Sequence, residues 1–216
     1  MCGRYSYVKK ELPKEHRFAA KFAGLHFEPH YNAAPSQSLP VIYDKDQPVA
    51  LFSWGLLSHW AKDPKVVRPI NARAETLTEK PTFRSLICQK RCLVPADGFY
   101  EWMITESGKV PFRILLKNEE VFTFAGLWDE WLDKSTGELL KSFTIITTDA
   151  NELVRPIHDR MPVILSPEAE ELWLNKNEKH VLDLLKPFPA KEMKAYPISN
   201  LVNSPRNNSP EILNSL

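Results

Sequence analysis

Val121-Phe122-Thr123-Phe124-Ala125-Gly126-Leu127-Trp128 is rich in β-branched and aromatic residues and carries no charge. Such a run reads as a strand buried on both faces. Four other stretches have the same character: Leu39–Tyr43, Val49–Trp54, Phe112–Leu116 and Phe143–Thr148. Helical patterns are fewer. Lys10–Leu25 reads as an amphipathic helix, and Thr76–Leu86 as a second. Ser166–Leu174 opens Ser-Pro-Glu, an N-cap followed by proline in the first turn. Asn177–Leu185 is expected to form a further short helix. Eighteen prolines against seven glycines indicate many short elements joined by stiff turns. The expected architecture is α+β: a strand-dominated single domain over residues 1–216, with a curved, barrel-like β-sheet core and a few peripheral helices. The polar tail Pro197–Leu216 fits either a disordered end or an extended strap across the sheet.

The composition sets limits on function. A chain of 216 residues with 43% hydrophobic content, six Trp and eleven Phe is globular rather than disordered. No early apolar run has the length and flanks of a signal peptide, and nothing approaches a membrane span. The expected compartment is the cytoplasm, with no membrane partner. Three cysteines argue against a disulfide framework. Cys88 and Cys92 lack a second Cys/His pair of matching spacing, so they read as core or incidental thiols and no metal is expected. A net charge of +1 gives no global basic footprint. Lys62, Lys65, Arg68, Arg73, Lys80, Arg84, Lys90 and Arg91 form a local basic stretch that permits nucleic acid without demanding it.

Chemistry enters at the start of the chain. Cys2 follows the initiator methionine and is small enough for Met1 to be trimmed away. It would then carry an α-amine and a thiol on adjacent carbons. This 1,2-aminothiol condenses with an aldehyde and closes to a five-membered thiazolidine; an N-terminal nucleophile also attacks amides. Position alone favours an accidental cysteine at a frayed end.

Four internal signals bear on that reading. Asn71 and Arg73 are two apart on an extended segment and share a face that suits a phosphate or base; a turn Asn and a surface Arg is the plain alternative. In Pro95-Ala96-Asp97-Gly98-Phe99-Tyr100-Glu101-Trp102, the carboxylate sits between aromatics. Desolvation there would raise its pKa toward general acid work, unless its head reaches solvent. Ile157-His158-Asp159-Arg160-Met161-Pro162 places a proton shuttle and a phosphate-binding cation before an apolar run, although a lone His is more often structural. Finally, Asn32-Ala33-Ala34-Pro35 and Trp54-Gly55-Leu56 precede Trp60. Trp54 is expected in the core and Trp60 exposed, where a base can stack.

Together, Met1-Cys2-Gly3-Arg4, Asn32-Ala33-Ala34-Pro35, Trp54-Gly55-Leu56, Asn71-Ala72-Arg73-Ala74-Glu75, Phe99-Tyr100-Glu101-Trp102, Phe124-Ala125-Gly126-Leu127-Trp128 and His158-Asp159-Arg160-Met161-Pro162 occur in that order. The chain resembles the SOS-response-associated peptidase family, whose members sense abasic sites in single-stranded DNA. The match extends to Asn203-Ser204-Pro205-Arg206-Asn207-Asn208-Ser209-Pro210; the chain departs from the family pattern at Ser58-His59.

The resemblance implies a self-crosslinking DNA-repair protein whose N-terminal cysteine forms a thiazolidine with the ring-opened deoxyribose. Cys2 is then the nucleophile, Asn71 positions the N terminus and the sugar, and Glu101 is the acid/base. His158 assists ring opening and Schiff-base chemistry. Arg4 and Arg73 hold phosphates and Trp60 stacks near the lesion, with Asn32, Pro35 and Thr147 completing the DNA-facing set. The implied partner is single-stranded DNA containing abasic sites, met by a monomer in the cytoplasm or at the nucleoid. No cofactor and no metal are required. Lyase cleavage by β-elimination and removal of its own Met1 are accessory activities. The alternative is an N-terminal-cysteine peptidase or amidohydrolase using the same residues; a non-catalytic reader of modified bases is the third reading.

Overall fold

Two sheets carry the fold. The computed structural model describes residues 2–9 and 16–216. In chain order the strands begin with β1 (Tyr5–Tyr7), β2 (His30–Ala33), β3 (Ser38–Val41), β4 (Ala50–Trp54) and β5 (Asn71–Arg73). The long central strands follow: β6 (Arg91–Ala96), β7 (Gly98–Thr105), β8 (Gly108–Leu116), β9 (Phe122–Leu132) and β10 (Leu139–Asp149). The last three are β11 (Arg160–Pro162), β12 (Ile164–Leu165) and β13 (Met193–Pro197). The helices are short: α1 (Ala19–Phe22), α2 (Pro81–Arg84), α3 (Leu86–Gln89) and α4 (Pro167–Leu174).

The uncharged run Val121–Trp128 forms most of β9, and its position explains its composition. It pairs antiparallel with β6, from Arg91↔Leu127 to Ala96↔Phe122, and with β10, from Leu139↔Leu132 to Ile145↔Gly126. A strand flanked on both edges and covered on both faces has no place for charge, hence the unbroken apolar run. Gly126 permits the close approach: a Cβ there would lie 2.9 Å from Cys92 Sγ and 3.0 Å from the Thr144 carbonyl. β10 continues to β4 in parallel, and β4 pairs antiparallel with β3. Just past β3, Ile42 and Leu93 exchange two backbone hydrogen bonds of 3.0 and 2.7 Å. That bridge joins the β3 end of the sheet back to β6, so the sheet curls until its ends meet, as the barrel-like expectation required.

The second sheet is antiparallel, in the order β13-β8-β7-β1-β2. Its β1 packs against the first sheet through Tyr5. The Tyr5 ring lies 5.2 Å from Trp54 and edge-on to Phe124 at 5.7 Å, while Trp54 stacks on Phe143. Burying rings of this size stabilises by about 2–3 kcal/mol each. Asp97 fastens β1 to the β7–β8 hairpin. It accepts from Ser6 Oγ (2.6 Å), Val8 N–H (2.7 Å) and Arg113 Nη2 (3.1 Å).

The strand expectations hold with shifted ends, whereas the helical ones divide. Ser166 caps α4, its Oγ accepting from Ala169 N–H at 3.3 Å. The expected Thr76–Leu86 helix is broken: Lys80 is extended, and Pro81 starts α2 anew because it has no N–H to donate. Of the expected Lys10–Leu25 helix, residues 10–15 lie outside the described residues, and only α1 is helical in the rest. The chain turns away at Gly24, with φ +80°. Asn177–Leu185 contains only a 3-10 turn, Val181–Leu184. The tail is a strap, with Ile198, Val202 and Ile212 buried against Tyr100. Trp54 is in the core at 1% exposure and Trp60 stands out at 59%.

Candidate active site

Cys2 enters just before β1 and is fully buried. Its main-chain carbonyl accepts a 2.8 Å hydrogen bond from Asn71 Nδ2, and its thiol points to the Arg4 carbonyl 3.6 Å away. Asn71 is the first residue of β5, which pairs in parallel with β10 and is anchored by the inward-facing Ala72. The other carboxamide atom, Asn71 Oδ1, is buried and accepts no hydrogen bond among the described residues. It is an acceptor held ready beside the cysteine.

Glu101 reaches the same place from β7. Tyr100 N–H donates to the Arg4 carbonyl at 3.0 Å, setting the β7 backbone alongside the segment that carries Cys2. The Glu101 side chain is only 3% exposed. Desolvation pushes its carboxyl from 4.5 up to about 7, and the charge of Asp159 acts in the same direction. Burial likewise pushes the Cys2 thiol well up, reinforced by the nearby Glu101 carboxylate. The thiol is therefore held in its protonated form at neutral pH.

His158 lies in the turn before β11, half-buried, and burial lowers its pKa. Its Nδ1 is 3.0 Å from the Arg160 N–H and 2.7 Å from Asp159 Oδ1. One nitrogen cannot accept from the first and donate to the second at once. Burial lowers the pKa and favours the neutral ring, with Nδ1 facing both the Arg160 N–H and the Asp159 carboxylate. Arg160 itself is clamped. Its guanidinium forks onto Glu75 (2.8 and 2.9 Å), reaches Asp149 (2.7 Å) and donates to the Thr147 carbonyl (2.8 Å). The Asn71–Glu75 motif is thereby tied to the His158–Pro162 motif.

Cys2 is thus hydrogen-bonded to Asn71 and electrostatically coupled to Glu101, and Glu101 feels Asp159, which neighbours His158. The other sequence candidates are placed differently. Arg73 is exposed at the end of β5. Arg4 donates through Nη1 to Asn32 Oδ1 (2.8 Å) and the Val202 carbonyl (2.7 Å), and through Nη2 to the Asn203 carbonyl (3.3 Å). Asn32 is 1% exposed, and its Nδ2 meets the carbonyls of Val202, Ser204 and Asn207. Pro35 is half-buried, next to Ser36 with its φ of 72°. Thr147 is buried in β10 between Arg73 of β5 and Pro162 of β11. Trp60 projects from a loop pinned on both sides. The His59 N–H donates to Asp129 at 2.8 Å, and Trp131 Nε1 donates to the Ala61 carbonyl at 2.7 Å.

The sequence motifs pointed to no role for Glu75 or Asn203, and they offered Arg160 as a phosphate-binding cation, whereas its guanidinium is taken up by Glu75, Asp149 and the Thr147 carbonyl. The signal was the charge density of Ala72–Glu75 and His158–Arg160, which is more than a strand edge needs. Among the described residues no group of three His, Cys, Asp or Glu is placed to hold a metal. No helix there is long and apolar enough to cross a membrane.

A family model described as SOS response associated peptidase (SRAP) matches residues 1–205. The chain is 46% identical to abasic site processing protein YoqW of Bacillus subtilis, over the full length of both chains. It is 35% identical to abasic site processing protein HMCES of Xenopus tropicalis, covering 87% of this chain and 66% of that one. A crystal structure of a protein from Bacteroides thetaiotaomicron superposes with a TM-score of 0.86 at 34% identity, over all of both chains. The motif order, the fold and these matches agree: the chain belongs to the SOS response associated peptidase family.

Proposed function

We propose that this protein processes abasic sites in single-stranded DNA by capturing them covalently on Cys2 after removal of Met1. The observation that carries the reading is Asn71 holding the Cys2 carbonyl at 2.8 Å beside a buried carboxyl with a pKa of about 7. The names of the relatives, abasic site processing proteins, point to the same substrate.

The chemistry follows from the protonation states. An abasic deoxyribose is mostly a closed hemiacetal, and opening it needs a proton on the ring oxygen and another removed from the anomeric hydroxyl. Glu101, about half protonated near pH 7, supplies the first. His158, its pKa lowered by burial, is suited to hydrogen-bond the sugar oxygens. The freed aldehyde is attacked by the Cys2 α-amine, and the carbinolamine loses one water to give an imine. Because the thiol is protonated, it enters last: its sulfur adds to the imine carbon, its proton passes to the imine nitrogen, and a thiazolidine closes. The net change is loss of one water. β-Elimination from the imine, before sulfur adds, gives strand cleavage as a side reaction. Asn71 holds the backbone of the nucleophile throughout, which reduces the entropy of approach.

The test is an intact mass after mixing the protein with single-stranded DNA carrying one abasic site. The expected product is the protein without Met1 plus DNA less one water, absent in Cys2→Ala. No adduct from a chain confirmed to begin at Cys2 would sink this reading. The family description also says peptidase; turnover on peptides without an aldehyde would favour the amidohydrolase alternative.

A further inference from the structure

The chemistry above leaves the strap without a role, yet the strap touches both arms of the site. Among the described residues β1 pairs with β7 at Tyr5↔Phe99 and Ser6↔Gly98, flanked by backbone bonds from Tyr100 to the Arg4 carbonyl and from Asp97 to the Ser6 carbonyl. Beyond Tyr100, β7 keeps β8 on one edge, where Glu101 faces Phe112 and Trp102 faces Pro111. Among the described residues its other edge has no strand partner. Side chains alternate along a strand, so Tyr100 and Trp102 share the face opposite Glu101. The strap packs against that opposite face through Ile198, Val202 and Ile212. One strap residue reaches both arms. Trp102 Nε1 donates to Asn203 Oδ1 at 2.7 Å, and Arg4 Nη2 donates to the Asn203 carbonyl at 3.3 Å. Trp102 is adjacent to Glu101, and Arg4 lies two residues beyond Cys2.

We propose that Asn203 is a positioning residue: by tying Trp102 to the Arg4 segment from behind, it fixes the approach of Glu101 to Cys2. This rests on the capture reaction proposed above. Asn203 is exposed, so replacing it leaves the core intact. Its side chain accepts from Trp102 and donates from Nδ2 to Asn200 Oδ1 at 3.3 Å, so Asn203→Asp keeps the Trp102 contact and loses only the Asn200 one, whereas Asn203→Ala removes both.

The experiment is single-turnover capture of an abasic oligonucleotide over a range of DNA concentrations, alongside thermal melting. For Asn203→Ala the limiting rate is expected to fall about tenfold, since small misplacements of reacting groups are costly. The half-saturating DNA concentration is expected to stay within about twofold and the melting temperature near that of the unsubstituted chain, with Asn203→Asp restoring the rate. An unchanged limiting rate overturns the proposal. So does a loss shared equally by rate and half-saturation, or one that follows melting and is not restored by Asp. A second readout is independent of activity: the carboxyl titration of Glu101 followed by carbon-13 NMR. In Asn203→Ala its midpoint should move down from about 7 as β7 loosens and water enters; an unmoved midpoint overturns the placement. Failure of the unsubstituted protein to form any adduct counts against the capture reading alone, and the titration then decides the role of Asn203.

Discussion

Glu101 concentrates the conflict between folding and chemistry in one side chain. Its carboxyl titrates at 4.5 when solvated and about 7 when folded. Between those values the folded chain holds a proton that the unfolded chain has released. Its contribution to stability is therefore complete below pH 4.5 and is lost as pH rises through 7, a change of up to about 3 kcal/mol. Glu101→Gln removes that dependence. Relative to the unsubstituted protein it should gain stability between pH 5 and pH 8, measured by urea denaturation at both values. Its capture rate should fall about 100-fold or more, as expected when a general acid is lost. A variant that loses rate without gaining stability at pH 8 would mean that Glu101 is not desolvated. The sequence indicated desolvation, since Glu101 lies between Tyr100 and Trp102. It left open whether the carboxylate head escapes to solvent, because that depends on the strand packed opposite.

At the scale of elements, two buried arginines look alike in sequence and differ in consequence. Arg113 of β8 meets Asp97, whose side chain is 5% exposed; Arg160 of β11 meets Glu75 and Asp149, which are 48% and 75% exposed. Removing Arg113 strands a buried charge, and Arg113→Met should destabilise by about 3–5 kcal/mol. Removing Arg160 leaves carboxylates that water reaches, so Arg160→Met should cost about 1 kcal/mol. Urea midpoints of the two variants check the ordering, and equal losses would refute it. Local signals read correctly where neighbours in sequence decide the outcome, as with the Ser166 cap of α4. They fail at Thr76–Leu86, where Pro81 ends one turn and starts the next. β6 is not among the expected strands, because its apolar run is short, opening at Arg91 and broken by Pro95. In the fold that guanidinium is buried and donates to the carbonyls of Ile87, Trp173 and Asn175.

Over the whole molecule, a net charge of +1 leaves little long-range attraction for a polyanion. Affinity for undamaged single strands should depend on a few exposed cations and fall with salt. Arg73 is exposed, while the donors of Arg4 reach Asn32 and the strap. Arg73→Ala should therefore reduce the slope of log affinity against log salt by about 0.7, one phosphate contact. Arg4→Ala should leave that slope unchanged and lower the melting temperature. Fluorescence anisotropy across a salt series separates the two, and a flattened slope in Arg4→Ala would show that Arg4 leaves the strap to meet DNA.

The strand-rich α+β character, the apolar centre at β9 and β10, the Ser166 cap and the ordered motifs of the family are legible along the chain. These are set by residue composition and by neighbours along the chain, where a local pattern is enough. Tertiary packing supplied the rest. It joined Asn71 to Cys2 across 69 residues, curled the sheet onto itself at Ile42 and Leu93, and turned Asn32 inward to grip the strap. It also set the protonation of Glu101, Cys2 and His158, because a pKa responds to the dielectric and charges around a group. Those are supplied by segments far apart in the chain and brought together only by packing.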